Sequence, residues 1–240
     1  MDGMKLTRRR LLASAGLAAG VSAPVLAQTP PLRIIVPYAA GGASDLIGRK
    51  VAERLDNTLG RRVLVDNRPG GGTVIGSQAA LAASADGNTV LLVAASFVIM
   101  PQLLAKSPYE PSVDFVPVTL AAANAHLLVT SSKVPASNIK EYVAWAKSRK
   151  GAASFASFGN GSSGHLGFEL LRRELGIDMV HVPYKGGAPA MQDLLCGQVD
   201  SMLTDLPQAV SHVKGGKITA IAVASTARAA SLPEVPTLAE

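Results

Sequence analysis

Short apolar runs alternate with longer amphipathic segments along most of this sequence, and this alternation constrains its fold more than any other feature. Residues 32–36 are apolar and β-branched, and apolar residues then recur at helical spacing over 45–59. Two further apolar runs, 62–65 and 89–94, flank a helix predicted at 75–83. The order strand, helix, strand, helix, strand is typical of an α/β fold with a parallel sheet covered by helices on both faces.

A second alternating series follows a proline-rich middle segment, which is less regular and whose residues 116–123 and 126–130 are predicted to be extended. We predict strands over 153–158, 179–184, 199–204 and 218–224, and helices over 138–150, 165–175, 188–195 and 207–214. Two α/β series joined by irregular chain predict two domains, 28–124 and 125–225, with a ligand cleft between them. In open α/β sheets ligands bind outside the carboxyl ends of the strands, so the loops there are the candidate site.

The first 27 residues have the composition of an export signal. A basic segment over 5–10 precedes an apolar stretch over 11–21, and small or apolar residues over 25–27 suit a signal peptidase. The consecutive arginines fit the twin-arginine route, with the general secretory route as the alternative. A membrane anchor is disfavoured because the apolar stretch is shorter than the ~20 residues that cross a bilayer. We therefore expect cleavage before Gln28 and a periplasmic mature protein.

The distribution of charge argues against binding to nucleic acid. Half of the formal net charge of +6 lies in the first ten residues, and no basic stripe with interleaved aromatic residues follows. The single cysteine, Cys196, excludes an intrachain disulfide framework and is expected to be buried. The four histidines lack the spacing of metal ligands, and His126 and His181 are expected to have structural roles. We predict neither a metal nor a cofactor.

The most informative loop runs from Gly159 to His165. Its glycines match G-x-G-x-x-G between a strand and a helix, but the next strand lacks the terminal acidic residue of a dinucleotide site. Glycines let the backbone approach a ligand, and the N–H groups at a helix start attract an anion. Ser162 and Ser163 add hydroxyl donors, and Lys185 is a natural counter-charge. Simple capping of the helix is the alternative role for the two serines.

An enzyme that uses the same loop is the rival class. A nucleophile elbow needs G-x-S-x-G, but Asn160 occupies the position two residues before Ser162. His165 follows closely, yet no acidic residue is evident to orient it. We therefore predict that the chain is not an enzyme. The alternative is an exported α/β enzyme that uses Ser162 or His165 on a small carboxylate.

The loop after the first strand repeats this design. Residues 38–45 place two glycines before Ser44 and Asp45, which open a helix and could cap it. The glycine-rich residues 69–73 precede another helix start, and no lysine follows them as it would in a phosphate-binding loop. Several anion-receptive helix starts around one cleft predict the binding of a small carboxylate.

Seven segments along the chain occur in the order and with the spacing of one known family. They are 36–45 (VPYAAGGASD), 65–70 (VDNRPG), 85–89 (ADGNT), 114–118 (DFVPV), 159–166 (GNGSSGHL), 182–187 (VPYKGG) and 233–237 (PEVPT). These segments resemble the Bug family, the periplasmic substrate-binding proteins of tripartite tricarboxylate transporters. The resemblance implies a type 2 periplasmic-binding-protein fold that closes on a small carboxylated solute and delivers it to the membrane subunits of the transporter.

In that family the loop after the first strand and a glycine/serine loop of the second domain grip a ligand carboxylate. The resemblance carries this role to Tyr38, Gly41, Gly42, Ala43, Ser44, Asp45, Ser157, Gly159, Asn160, Gly161, Ser162, Ser163 and His165. It adds Tyr184, Lys185 and Asp205 as less closely matched positions. Three residues depart from the family pattern: Tyr38 replaces a common phenylalanine, Phe158 stands where a small residue is usual, and Val74 replaces a common asparagine, which weakens a polar role for the third glycine loop.

The resemblance also implies that members of the family continue well past the segment that ends at residue 240. The segment 226–240 would then begin a return to the first domain, whose closing elements would be missing. We therefore expect a fragment or truncated product with a destabilised first domain, and a monomer in solution.

Overall fold

The computed structural model describes residues 30–240, so the predicted export signal over 1–27 lies outside the described residues. Residues 31–240 form one compact unit that contains two β-sheets. The strands are β1 (Leu32–Val36), β2 (Val63–Asn67), β3 (Thr89–Leu91), β4 (His126–Ser131), β5 (Ser154–Ser157), β6 (Val180–Pro183), β7 (Ser201–Asp205) and β8 (Ile218–Ala224).

The helices alternate with these strands over most of the described chain. They are α1 (Ala43–Leu59), α2 (Val74–Leu81), α3 (Ser96–Leu103), α4 (Pro111–Asp114), α5 (Ile139–Ser148), α6 (Ser163–Leu175), α7 (Gly187–Cys196) and α8 (Leu206–Lys214). A turn of 3-10 helix, Gly71–Thr73, precedes α2. Among residues 30–240, none of these helices has the length and apolar composition to span a membrane.

Residues 31–124, which we call lobe 1, contain a three-stranded parallel sheet in the order β2–β1–β3. The parallel arrangement predicted from the sequence is confirmed, although β3 has only three residues. Helix α1 ends at Gly60, which adopts the left-handed conformation and donates its N–H to the Asp56 carbonyl. The apolar face of α1 packs on the sheet. The helix connects β1 to β2, which lie side by side.

Residues 125–240, which we call lobe 2, contain a five-stranded sheet in the order β6–β5–β7–β4–β8. Strand β5 is parallel to β6 and β7, whereas β4 is antiparallel to both β7 and β8. Apolar runs predict where strands lie but not which way they run, so this reversal was not foreseen. It pairs the first residue of β4, His126, with the last residue of β7, Asp205.

Helix α3 lies in the middle segment that the sequence predicted to be irregular, and that prediction is wrong here. The helix contains Pro101, which lacks the N–H that would bond to the carbonyl of Phe97 one turn earlier. The hydroxyl of Tyr109 donates to that carbonyl instead, at 2.9 Å. The rings of Phe97 and Tyr109 also stack with their centroids 5.2 Å apart. A tertiary contact therefore compensates for the proline, which local sequence patterns could not indicate.

The sheet of lobe 2 is covered on both faces by fully buried side chains. Leu194 and Met202 belong to the cluster on one face, and Phe155 and Phe168 belong to the cluster on the other. The rings of Phe155 and Phe168 stack with centroids 4.1 Å apart. The sheet therefore has the layered core of an independent α/β lobe.

The last fifteen residues, 226–240, pack against the rest of lobe 2. Leu232 and Val235 are buried in the same cluster as Leu194, and Thr237 pairs with Val223 beside β8. We predicted from the family resemblance that this segment begins a return to the first domain. The domain boundaries stay a prediction, and within residues 30–240 the segment belongs to the core of lobe 2.

Candidate binding site

The loops that follow the strands of both sheets enclose two adjacent cavities where the lobes meet. One cavity, of about 330 Å³, has Lys185 as its only charged lining residue among the described residues, and we call it the Lys185 cavity. The other, of about 570 Å³, has Asp205 as the only carboxylate in the described part of its lining, and we call it the Asp205 cavity. Tyr38, Ser96 and Phe158 line both cavities.

Five helices begin at the Asp205 cavity. The cavity is lined by the first residues of α1, α3, α6 and α7 and by the residue before α8, which are Ala43, Ser96, Ser163, Gly187 and Asp205. The first N–H groups of a helix have no partner within the helix and, together with the helix dipole, attract anions. Helix starts from both lobes therefore surround one space that suits a carboxylate.

Asp45 organises the loop after β1 but does not line either cavity. Its side chain is almost fully buried, and its Oδ2 accepts hydrogen bonds from the Gly41 N–H and from Arg49 Nε, both at 2.9 Å. Burial raises the pKa of Asp45, but the hydrogen bonds from Arg49 and Gly41 outweigh burial and leave that pKa below its usual value. The residues of this loop that line the Asp205 cavity are Tyr38, Gly42, Ala43 and Ser44.

Two histidines contact the glycine/serine loop of lobe 2 through hydrogen bonds. His181 Nε2 lies 2.7 Å from Ser157 Oγ, and His165 Nδ1 accepts the Gly161 N–H at 3.2 Å. The two imidazole rings stack with their centroids 4.0 Å apart. Burial lowers the pKa of both rings, that of His181 to about 4, so both are neutral at pH 7. Ser157, Gly161 and His165 shape this loop and do not line the cavities.

The two serines of this loop border the Asp205 cavity but make different contacts. Ser162 is buried, and its Oγ accepts the His165 N–H at 3.2 Å, which is the capping role considered above. Ser163 is half-buried, and its Oγ lies 2.8 Å from His126 Nε2. Gly159 and Asn160, from the same loop, line the Lys185 cavity.

Asp205 turns away from the helix that it precedes. Its side chain makes no hydrogen bond to the backbone of α8, although it occupies the cap position. Its Oδ1 accepts a hydrogen bond from Asn124 Nδ2 at 2.7 Å and lies 4.0 Å from His126 Nδ1. Ser163, His126 and Asp205 follow one another in the order of a hydrolytic triad, but the separation of Asp205 from His126 is longer than a hydrogen bond.

Two tyrosines and a lysine complete the predicted set, and all three line the Lys185 cavity. The Tyr38 hydroxyl donates to Ser96 Oγ at 3.2 Å, and burial raises the pKa of Tyr38 to about 12. The Tyr184 hydroxyl donates to Asp193 at 2.6 Å, and burial together with this carboxylate raises the pKa of Tyr184 to about 12. The Lys185 residue is exposed at the rim.

Direct backbone contacts join the lobes beside these cavities. The Ala39 N–H of lobe 1 donates to the Lys185 carbonyl of lobe 2 at 2.9 Å. The following residue, Gly186, has a φ of 142°, and a Cβ added there would lie 2.9 Å from Ala39 N. A Cβ added to Gly72 of lobe 1 would lie 2.9 Å from the carbonyl oxygen of Asn160 in lobe 2. Glycine is needed at both positions because the two backbones approach so closely.

Thr73 lines the Lys185 cavity and was not among the predicted site residues. Its φ of 90° is a left-handed conformation that a β-branched residue rarely adopts. Its side chain is buried, and among the described residues its Oγ1 has no hydrogen-bond partner. A strained residue with a buried, unpaired hydroxyl at a cavity wall marks Thr73 as a candidate ligand contact.

Other lining residues were also absent from the predicted set, among them His126, Ser96 and Phe158. His126 was expected to have a structural role, and its place at the Asp205 cavity depends on the antiparallel direction of β4. Ser96 begins a helix that the sequence did not predict. Phe158 directly precedes Gly159, and its aromatic ring lies 6.1 Å from that of His126. Only Phe158 carried a signal in the sequence, as a departure from the family pattern.

The remaining sequence predictions concern cysteine and metal. Cys196 was expected to be buried but is exposed at the end of α7, because the buried face of that helix is formed by Ala190, Met191 and Leu194. Within the part of the chain that the structure describes, no group of three or more His, Cys, Asp or Glu side chains is placed to hold a metal ion.

Comparisons with known proteins agree on one family. Residues 47–240 match the model of the tripartite tricarboxylate transporter family receptor, TctC. The protein BugT of Bordetella pertussis is 38% identical over 239 residues, which span 96% of this chain and 73% of that protein.

Two solved structures have the same fold. The periplasmic binding protein BugD is 35% identical, with a TM-score of 0.80 over 88% of this chain and 71% of that one. MatC from Rhodopseudomonas palustris with bound malate is 31% identical, with a TM-score of 0.81 over 86% of this chain and 71% of that one. The periplasmic-binding-protein fold and the resemblance predicted from the loops are thereby confirmed: the chain belongs to the tripartite tricarboxylate transporter receptor family, of the Bug type.

Proposed function

We propose that this chain is a periplasmic receptor that captures a small carboxylated solute and delivers it to the membrane subunits of a tripartite tricarboxylate transporter. The convergence of five helix starts from both lobes on the Asp205 cavity is the observation that carries the proposal. Backbone N–H groups and hydroxyls can hold a carboxylate there without a buried cation. The malate bound to the related MatC supports the same class of solute.

The predicted ligand-binding residues have two kinds of role in this proposal. Direct contacts to the solute come from residues that line the cavities: Tyr38, Gly42, Ala43, Ser44, Gly159, Asn160, Ser162, Ser163, Tyr184, Lys185 and Asp205. The others shape the loops through hydrogen bonds: Gly41, Asp45, Ser157, Gly161 and His165. We expect loss of the second group to weaken binding through loop geometry.

Closure of two domains around the solute would report occupancy to the transporter. The domains are those predicted at 28–124 and 125–225, and the sheets of the described chain fall on either side of that boundary. A ligand favours the closed arrangement by binding it more tightly than the open one. The backbone contacts at Gly186 and Gly72 are the kind that such closure would form.

The periplasmic location rests on two observations. The related BugD is described as a periplasmic binding protein, and residues 1–27 have the composition of an export signal. Cell fractionation of the full chain beside an Arg8→Lys, Arg9→Lys variant tests the twin-arginine route. We expect the wild type in the periplasmic fraction and the variant in the cytoplasm, whereas export of both would favour the general secretory route.

The rival function, an exported enzyme acting on a small carboxylate, has weaker support. Its predicted nucleophile Ser162 is buried as a helix cap, and the His165 Nδ1 atom is occupied by the Gly161 N–H. The matched family is one of receptors by name. The same assay that detects binding should therefore also measure consumption of the solute.

Thermal unfolding of the full chain with a panel of carboxylates tests the proposal. Malate, succinate, adipate and citrate are added at increasing concentration, with the uncharged dimethyl ester of succinate as the matched control. A bound solute at one hundred times its Kd stabilises the folded state by about 2.7 kcal/mol. We expect at least one acid to raise the unfolding temperature, the ester to leave it unchanged, and no acid to be consumed.

Two outcomes would contradict the proposal. Unfolding that no carboxylate shifts would show that the cavities do not bind this class of solute. Turnover of a carboxylate that Ser162→Ala or His165→Gln abolishes would favour the enzyme.

A further inference from the structure

Ser163, His126 and Asp205 form one polar wall of the Asp205 cavity. This wall and the helix starts around it favour ligand groups of opposite kinds. Helix starts offer N–H donors, whereas Asp205 brings a negative charge to the same space. No lysine or arginine lies among the described lining residues of this cavity, so the carboxylate is not neutralised by a neighbouring cation.

The negative charge of Asp205 determines where His126 and Ser163 carry their protons. Burial lowers the pKa of His126 although Asp205 raises it, so the imidazole is neutral at pH 7. A carboxylate 4.0 Å from Nδ1 favours the tautomer that carries its proton on Nδ1. Nε2 then has a lone pair and accepts the hydroxyl of Ser163, whose Oγ lies 2.8 Å away. Ser163 therefore presents oxygen lone pairs to the cavity.

Asp205 is an acceptor on the same wall. Its Oδ1 takes the hydrogen bond from Asn124 Nδ2, and its Oδ2 accepts none from a described residue. The side chain is only 19% exposed, although no lysine or arginine of the described lining faces it and His126 is neutral. The ordinary explanation for an aspartate at this position is capping of the following helix, and that hydrogen bond is absent.

We infer that the solute carries a hydrogen-bond donor, a hydroxyl or an ammonium group, close to one of its carboxylates. The carboxylate lies against the helix starts, and the donor pairs with Ser163 and Asp205. A plain dicarboxylate brings only acceptors to a wall of acceptors and leaves Asp205 Oδ2 desolvated without a hydrogen-bond donor. This inference rests on the proposed function and narrows its substrate class to hydroxy or amino carboxylates.

Calorimetric titration at pH 7.5 with three four-carbon acids of matched shape tests the inference. Succinate has no donor, malate has a hydroxyl group, and aspartate has an ammonium group. Sites that hydrogen-bond a substituent discriminate strongly against the analogue that lacks it, so we expect malate or aspartate to bind the full chain at least about tenfold more tightly than succinate. The stronger of the two identifies the donor.

Asp205→Asn and a matched control variant test whether Asp205 causes the preference over succinate. The asparagine keeps the size and the Oδ1 acceptor but removes the charge, and we expect the preference over succinate to fall below about threefold. Asp178→Asn removes an exposed carboxylate of lobe 2 that lies outside both cavities, and it should keep the wild-type preference. If Asp205→Asn fails to fold, Ser163→Ala replaces it with the same expected loss.

Three results separate the inference from the function on which it rests. Equal affinity of the wild type for all three acids would overturn the inference and leave the carboxylate receptor standing. A preference that persists in Asp205→Asn would also overturn it. Failure of every carboxylate to bind would contradict both.

Discussion

The two lobes differ in how much apolar surface they bury. The apolar cluster on the three-stranded sheet of lobe 1 contains six buried side chains, whereas the clusters on the two faces of the lobe 2 sheet contain thirteen and twelve. Lobe 1 also carries the most exposed large apolar residues, Val116, Val118 and Leu120, each more than 80% exposed. Because the stability of an α/β unit follows the apolar area that it buries, we expect lobe 2 to be the more stable part of the described chain.

The lobes also hold their ligand-facing loops with different chemistry. In lobe 1 the ionised carboxylate of Asp45 fixes the loop after β1 through Gly41 and Arg49. In lobe 2 the neutral imidazoles of His165 and His181 fix the glycine/serine loop. The site is therefore built from a stable half and a less stable half, and each half should respond to acid in its own range of pH.

Matched core substitutions should give the largest effect and test the first difference. Ile221→Ala in lobe 2 and Ile34→Ala in lobe 1 remove the same atoms from positions that are 0% and 2% exposed. Such changes cost about 2–5 kcal/mol, depending on how far the cavity can relax. We expect Ile221→Ala near the upper end and Ile34→Ala near the lower end, measured by urea unfolding. Equal costs, or the reverse order, would contradict the comparison.

Glycine substitutions test the contact between the lobes. Gly186→Ala places a methyl group 2.9 Å from Ala39 N, whereas Gly60→Ala also acts at positive φ but meets nothing within 4 Å. Gly60→Ala should lose about 1 kcal/mol of stability from backbone strain, and Gly186→Ala should lose more because the added methyl group also meets Ala39 N. Titration with a carboxylate should show at least about tenfold weaker binding for Gly186→Ala only. Unchanged affinity in Gly186→Ala would show that this contact does not matter to binding.

Acid unfolding tests the second difference. The pKa of His181 falls from its ordinary 6.5 to about 4 in the folded protein, so the unfolded chain binds the proton first. Stability from this group is therefore complete above pH 6.5 and lost as the pH falls toward 4. The lowered pKa of Asp45 acts at more acid pH, with stability present above 3.8 and lost below it.

Single variants distinguish these two ranges of pH. His181→Gln should flatten the dependence of unfolding free energy on pH between 6.5 and 4, and Asp45→Asn should flatten it only below about 4. Unfolding by urea at a series of pH values measures both slopes. A His181→Gln slope equal to that of the wild type would show that the imidazole does not titrate as described.

The smallest effect is expected in the exposed segment of lobe 1. Val116 and Val118 are 88% and 84% exposed, so serine at either position removes no buried contact. Each change should alter the free energy of unfolding by less than about 0.5 kcal/mol. A loss of more than about 1 kcal/mol would show that this segment is packed in solution and that lobe 1 has more core than described here.

Periodicity and turn residues predicted most of the fold because these signals are local. The strand at 218–224 has the bounds predicted for it, and the helix start at Ser163 lies two residues before the predicted one. The direction of β4 and the proline-containing helix α3 depend on tertiary contacts, which no local pattern reveals. For that reason His126 and Ser96 were missed while the glycine loops were found.

The candidate site was predicted unevenly for the same reason. The loop after β1 and the loop after β5 were identified by their glycines and serines, and the family resemblance added Asp205. The sequence could not show which residues of those loops line the cavities and which ones shape the loops, because this depends on the direction of each side chain. Asp45 became a structural support, Ser162 both caps a helix and lines a cavity, and Thr73 emerged from its backbone conformation and its buried, unpaired hydroxyl.

The central claim is that helix starts from both lobes hold the same carboxylate, and two charge insertions test it most directly. Ala43→Glu and Ser163→Glu each place a carboxylate at the first residue of a helix, where it interacts favourably with the helix dipole and competes with the carboxylate of the solute for the N–H groups. Ser163→Glu also adds a negative charge beside Asp205. Calorimetric titration with the acid that binds the wild type most tightly should show one saturable site in the wild type and at least about tenfold weaker binding in each variant, with thermal stability retained. Wild-type affinity in either variant would contradict a site shared between the lobes.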